Sequence, residues 1–208
     1  TALDGASIQG ATCQSSSQAT QFHVSSGIVS LQNVQLISSS VRFVGVAGTF
    51  SGTLKVVASN VYLDNATFLS GDRGGLGPAQ LADGCTMRDN RGAGGAHGGD
   101  TLSGNTYTSY YQKGCGDMIA PALLGSGGAG AHLNRATLGG RGGGALHIIA
   151  NDIRIDGNIS VNGGTGGTYY RSSYGYYGAG GGAGGSIWLE ASGSIGGAGI
   201  LQANGGSG

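Results

Sequence analysis

Asp64 and Asp156 stand 92 residues apart, each following a similar ten-residue block: LKVVASNVYL before the first and LHIIANDIRI before the second. Asn60 and Asp152 match in the same frame. If the two blocks stack directly, like residues lie about 4.8 Å apart. Carboxylates that close repel unless they share a proton or a cation, which points to calcium binding or to a carboxylate pair that cleaves carbohydrate. The competing reading, which we favour, is structural: Asx residues at chain corners accept hydrogen bonds from turning backbone amides. The sequence has no GGxGxDxUx calcium repeat, and the only base close to the second carboxylate in sequence is Arg154.

Other reactive residue types are sparse. His23, His97, His132 and His147 share no metal-ligand spacing and read as surface or loop histidines. No GxSxG element occurs, and the GxGxxG-like strings arise from abundant Gly without a strand-turn-helix setting. Tyr169, Tyr170, Tyr174, Tyr176 and Tyr177 fall within nine residues, interleaved with Ser, Gly and Arg171. Such a cluster suits binding of sugar or protein, and Trp188 is expected to join it. Cys85 and Cys115 are 30 residues apart and are expected to form a disulfide that closes a loop poor in apolar residues, leaving Cys13 as the odd thiol. Asn65-Ala66-Thr67 and Asn158-Ile159-Ser160 are N-glycosylation sequons. They fall one residue apart in the repeat frame, so glycans on Asn65 and Asn158 would line one edge.

The elements that must position these residues come from a repeat. VQLISSSVRF (34–43) aligns without gaps on LKVVASNVYL (54–63), 20 residues on, and on LHIIANDIRI (146–155), a further 92 on. Two short alternating strands separated by small polar residues, at a period near 20, describe one coil of a β-solenoid. Alternation turns Val34, Leu36, Val41 and Phe43, with their equivalents, inward, and Gln35, Lys55, His147, Arg42, Tyr62 and Arg154 outward. A last coil begins at Ser186, where Ile187, Leu189 and Ala191 match Leu146, Ile148 and Ala150. The expected architecture is all-β, a right-handed parallel β-helix forming a single solenoid domain over residues 1–208. Its coils run at about 21–71, 145–166 and 186–208, with insertions at 72–144 and 167–185.

Of 47 Gly, 6 precede position 71 and 41 lie from it onward, so Gly marks the insertions and the approaches to coils. The runs GGRGGGA (139–145) and GAGGGAGGS (178–186) each lead directly into a strand, which favours ordered extended chains packed in a polyglycine-II manner over flexible linkers. The segments GGALHIIANDIRIDGNISVNGGTGG and GGSIWLEA…ILQANGG resemble those of Gly-rich right-handed parallel β-helix proteins of cell surfaces. The resemblance implies a secreted or surface-attached protein, adhesin-like or fibre-forming, and brings no catalytic residues. The long Cys-bearing insertion departs from the plain repeat.

Ten basic and ten acidic residues give a net charge of zero, so the basic footprint of a nucleic-acid binder is missing. No apolar run approaches the ~20 residues of a membrane span. The chain stops at Gly208 inside a Gly-rich stretch, which reads as a piece of a longer or polymerised chain. The expected function is that of an extracellular or cell-surface structural glycoprotein, not an enzyme, that self-associates into filaments and needs no cofactor. The alternatives are an adhesin that binds glycan or a host surface through the Tyr loop, and a pectate-lyase-like carbohydrate-active enzyme.

Overall fold

The computed structural model describes residues 7–9, 12–14, 21–87, 93–98, 101–102, 111–117, 119–131, 139–172 and 175–208. The described residues form strands, turns and extended segments with no helix, and hence no helix long and apolar enough to cross a membrane. The chain divides into two compact units. The first holds Thr1–Gly71, Leu146–Ser160 and Ile187–Gln202, and the second holds Asp72–Ala145, Val161–Ser186 and Ala203–Gly208.

In chain order the strands are β1 (Ser7–Gln9), β2 (Thr12–Gln14), β3 (Gln21–Leu63), β4 (Phe68–Ser70), β5 (Thr86–Met87), β6 (Thr101–Leu102) and β7 (Tyr111–Lys113). They continue as β8 (Ala145–Ile155), β9 (Asn158–Ser160), β10 (Thr168–Arg171), β11 (Gly175–Gly178), β12 (Ser186–Gly196) and β13 (Ile200–Gln202). The first unit is built on one eight-stranded sheet, ordered β12-β8-β3-β4-β9-β13 with β1 and β2 also on β3, that goes nearly round an axis. The registers given by Ser7 to Ser30, Thr12 to Gln35, Ala47 to Phe68, Phe68 to Asn158 and Ile200 to Asn158 are all parallel.

Held straight, the 43 residues of β3 would extend roughly 140 Å. The chain instead turns at Asn33, Gly45 and Gly52, where φ is 50°, 63° and 69°. Those turns return it over itself, so that Asp64 N donates to Phe43 O and Asp156 N to Leu63 O, one level apart each time. Alternation then does what the sequence requires. Val34, Leu36, Val41, Phe43, Leu54, Val56, Val61, Leu63, Leu146, Ile148, Ile153, Ile155 and Ile159 are buried. On the outer face Arg42 lies over the Tyr62 ring, 5.2 Å from its centroid and 20 residues away in sequence.

The second unit contains an antiparallel sheet ordered β5-β7-β6, the hairpin β10-β11, and a set of extended Gly-rich segments at 73–80, 93–97, 125–131, 139–144, 161–167, 179–186 and 203–208. The hydrogen bonds of these segments repeat every three residues. Ala179, Gly182 and Gly185 donate to the carbonyls of Gly167, Gly164 and Val161, while Gly180 and Ala183 donate to those of Ala129 and Ser126. Gly140 and Gly143 donate in turn to Gly180 and Ala183. A β-strand has a two-residue side-chain period and at most two ladder neighbours. Segment 179–186 instead bonds to 161–167, 125–131, 139–144, 93–97 and 203–208. Only a chain without side chains on most faces can be surrounded in this way.

Candidate functional site

The paired acids are close in the fold but do not form a pair. Asp64 accepts from Gly45 N at 3.0 and 3.2 Å and from the Thr67 hydroxyl at 2.6 Å, reaching toward the preceding coil. Asp156 accepts from Ala198 N at 3.2 Å, in the following coil, and from Arg154 Nε at 2.7 Å. The carboxylates are thus engaged in opposite directions along the stack. Burial alone would raise the Asp64 carboxyl, but the bonds from Thr67, Gly45 and Ala66 outweigh it and hold it below the ordinary range. The Arg154 hydrogen bond does the same for Asp156. Both carboxyls are held ionised, so the two do not share a proton. No group of three or more His, Cys, Asp or Glu capable of holding a metal occurs among the described residues.

The same corner chemistry recurs elsewhere in the first unit: Asn33 Oδ1 accepts from Thr53 N at 3.2 Å, and Asp152 Oδ1 from Ser194 N at 3.1 Å. In the second unit Asp72 Oδ1 accepts from Asn162 N at 2.6 Å, and Asn162 Oδ1 from Asn204 N at 2.7 Å. Each Asx therefore staples one level to the next, which is a structural role.

The sequons occupy different settings. Asn65 is exposed in the turn closed by Thr67 N to Asp64 O, whereas Asn158 is exposed on β9, in register between Phe68 and Ile200. Two more residues separate Leu63 from Phe68 than separate Ile155 from Asn158, which moves the two Asn out of the common corner expected from the repeat frame. Their third residues are committed to the fold. Thr67 is buried with its hydroxyl on Asp64, and the buried Ser160 hydroxyl donates to Ser70 Oγ at 3.5 Å.

The Tyr cluster folds as a hairpin, with Tyr169 opposite Tyr177 and Tyr170 opposite Tyr176. Tyr170 and Tyr176 share the open face, 57% and 78% exposed, with ring centroids 4.9 Å apart and planes at 51°. Tyr169 and Tyr177 are half-buried, and Tyr174 lies outside the described residues. Trp188 belongs to the first unit, where it stacks on His147 at 3.9 Å with the planes 2° apart. That ring pair is completed by His147 Nε2 to Glu190 Oε1 at 3.3 Å. Among the described Tyr residues of the hairpin, Tyr170 and Tyr176 are the exposed rings.

Cys85 and Cys115 form the expected disulfide, with Cα atoms 4.8 Å apart. Cys85 precedes β5 and Cys115 follows β7, and the antiparallel register of Thr86 with Lys113 brings them to one end of that sheet. Cys13 falls in β2 opposite Leu36, while His132 lies outside the described residues, as does the side chain of His23. His97 is not a simple loop histidine. Its Nε2 lies 2.9 Å from Ser186 Oγ, which itself donates to Leu123 O at 2.7 Å, and its Nδ1 is buried without a partner.

Because the Ser186 proton is spent on Leu123, His97 Nε2 is the donor to Ser186 Oγ, and burial, which disfavours the charged ring, pushes its pKa below the ordinary value. A lowered histidine pKa contributes stability that is present above the unfolded value of about 6.5 and is lost as pH falls through the folded value. The lowered Asp64 carboxyl acts in the same direction further into acid, below about pH 3.9. Thermal melts should therefore move to lower temperature as pH drops below about 6.5, and His97→Gln should flatten that first stage. A melting temperature independent of pH between 7 and 5 would contradict the assignment.

The later part of the last coil, from Ser192, is exposed, and β12 and β13 end the main path of the eight-stranded sheet. Ile195, one level above the 1% exposed Ile153, is 54% exposed, and Leu201, in register with the 1% exposed Ile159, is 46% exposed. Sequence reasoning matched this coil to its predecessor but did not see that its apolar face lacks a cover. It also passed over Arg73 and Arg141, whose one visible signal was a lone Arg beside paired Gly in DRGG and GGRGG. No protein-family model matches this sequence, and comparison with curated proteins and with solved structures finds no match.

Proposed function

We propose that this chain is a structural protein of the cell exterior, a filament subunit that adds copies by stacking coil on coil. In this reading the first unit is a right-handed parallel β-helix and the Gly-rich segments of the second are a polyglycine-II bundle, a packing whose three residues per turn agree with the hydrogen-bond period. The observation that carries the proposal is the exposed apolar face of the last coil, with Ile195 and Leu201 open where the equivalent Ile153 and Ile159 are sealed. That face repeats the chemistry that each buried coil offers to its neighbour, so its natural occupant is the first coil of a second copy. Independently, the Asx staples of the second unit run from Asp72 to Asn162 to Asn204, and the exposed Asn204 side chain is left to serve a further level. The disulfide agrees with an oxidising, extracellular setting, and exposed Asn65 and Asn158 are open to glycans.

Burying two aliphatic side chains contributes roughly 3 kcal/mol when each is about half covered already, or about a hundredfold in association. Ile195→Lys combined with Leu201→Lys should therefore raise the concentration needed for assembly by roughly that factor while the monomer melts as the parent does. Sedimentation of parent and variant across a concentration series tests this. Equal assembly, or a parent that stays monomeric throughout, would refute it.

A second reading, an adhesin, rests on the exposed Tyr170 and Tyr176 pair, whose rings form an open corner able to receive a sugar face. Saturable glycan binding lost in Tyr176→Ala would favour it.

A further inference from the structure

Within the second unit a cleft of about 510 Å³ opens beside the turn at Asp72 and Arg73. Its walls carry Arg73, Arg141, Thr165 and Pro78, and its floor is the backbone of Gly140 and Gly164. Two arginines lining one cleft are notable in a chain with ten basic residues, and neither is paired with a carboxylate among the described residues. Arg141 is fixed in place: its Nε donates to Arg73 O at 3.0 Å and its Nη2 to Gly75 O at 3.1 Å. The plane of that guanidinium is therefore set before any ligand arrives, which lowers the entropic cost of using it.

Arg73 has φ 56°, a left-handed conformation that costs a non-Gly residue free energy and that tends to persist at functional sites. Its Cγ and Cδ pack into the space left by the missing side chain of Gly164. The floor offers no spare amide from Gly140 or Gly164, because these donate to Gly180 O and Arg141 O. Recognition thus falls to the two guanidiniums and to Thr165, whose Oγ1 accepts from Ser207 at 3.4 Å and keeps its own proton to donate. The planar donor fork of arginine matches carboxylate and sulfate oxygens, and Pro78 gives the rim an apolar surface for the C–H face of a ring. The volume is that of a site for a small organic molecule rather than for a bare oxyanion.

We propose that this cleft binds an acidic saccharide, a sugar unit bearing a carboxylate or sulfate held between Arg73 and Arg141. The site does not depend on the filament reading and gives a surface protein a hold on an anionic polysaccharide.

Titration calorimetry on the intact, oxidised protein tests it with four probes: a galacturonate trisaccharide, a sulfated disaccharide, maltotriose as the neutral sugar and inorganic phosphate as the bare anion. Arg73→Asn removes the charge while keeping a residue that adopts positive φ readily. Thr165→Ala is the second variant, and thermal melts check the fold of both. The expected result is saturable binding of one or both acidic sugars, weakened by salt, reduced at least tenfold in Arg73→Asn and measurably in Thr165→Ala. The tighter of the two acidic probes then identifies the anionic group. The proposal is overturned if maltotriose or phosphate binds as well as the acidic sugars, if no acidic sugar binds at up to about 1 mM, or if a folded Arg73→Asn retains the parent affinity. Should Arg73→Asn fail to fold, unchanged binding in Thr165→Ala overturns it.

Discussion

Gly182→Val will prevent the Gly-rich unit from folding, whereas Gly178→Ala will leave stability within about 0.5 kcal/mol of the parent. Gly182 lies inside segment 179–186, where its N–H donates to Gly164 O and its carbonyl accepts from Gly206 N, both at 2.8 Å. A Cβ there would overlap the carbonyl of Arg141 and approach the amide of Gly142, all of them backbone atoms. Overpacking costs about 1–3 kcal/mol where a side chain can rotate away. Here the obstacle is another extended chain, held by its own bonds to Leu76, Ala183 and Gly180. Relief must come from parting segments and breaking several hydrogen bonds at about 1 kcal/mol each. The expected loss exceeds about 5 kcal/mol, the scale of a whole domain's stability. Gly178, by contrast, has nothing within 4 Å of where its Cβ would stand. Circular dichroism and hydrogen exchange on the two variants read the difference, and a folded Gly182→Val protein would mean that the close-packed bundle is wrong.

The second large effect is at the disulfide. Replacing Cys85 and Cys115 together by Ser opens a 30-residue loop, which by chain entropy is expected to cost about 3–4 kcal/mol. Its strands β5, β6 and β7 are only two or three residues long. Denaturant titration of the double variant should give a midpoint well below that of the oxidised parent, and reduction of the parent should reproduce the shift. A change under about 1 kcal/mol would indicate that the Gly segments alone fix this region.

Much of the first unit was legible because its side chains alternate. Val34, Leu36, Val41 and Phe43 and their equivalents announce both the inward face and the period of 20. Asn33, Asp64, Asp152 and Asp156 act at corners as residues with short acceptor side chains are expected to. What alternation cannot convey is a change in turn length. Two additional residues between Leu63 and Phe68 are enough to separate Asn65 from Asn158.

The second unit was legible only in outline. Runs of Gly announce close approach, but a residue without a side chain carries no pattern that says which neighbour it approaches. The three-residue hydrogen-bond period around segment 179–186 leaves no trace in residue type. For the same reason Arg73 and Arg141, remote in sequence, gave no sign that they meet at one cleft. The partial burial of His97 within its loop comes from packing near Gly116 and Leu123 together with its bond to Ser186, none of which its own neighbours in sequence reveal.

The stacking of copies through the last coil is tested most directly by cryo-electron microscopy of the untagged protein at high concentration, followed by diffraction analysis of any filaments. The account predicts filaments with strands perpendicular to the axis and a meridional repeat of about 4.8 Å, continuous across subunit junctions. Dispersed monomers, or filaments whose junctions interrupt that repeat, would contradict it.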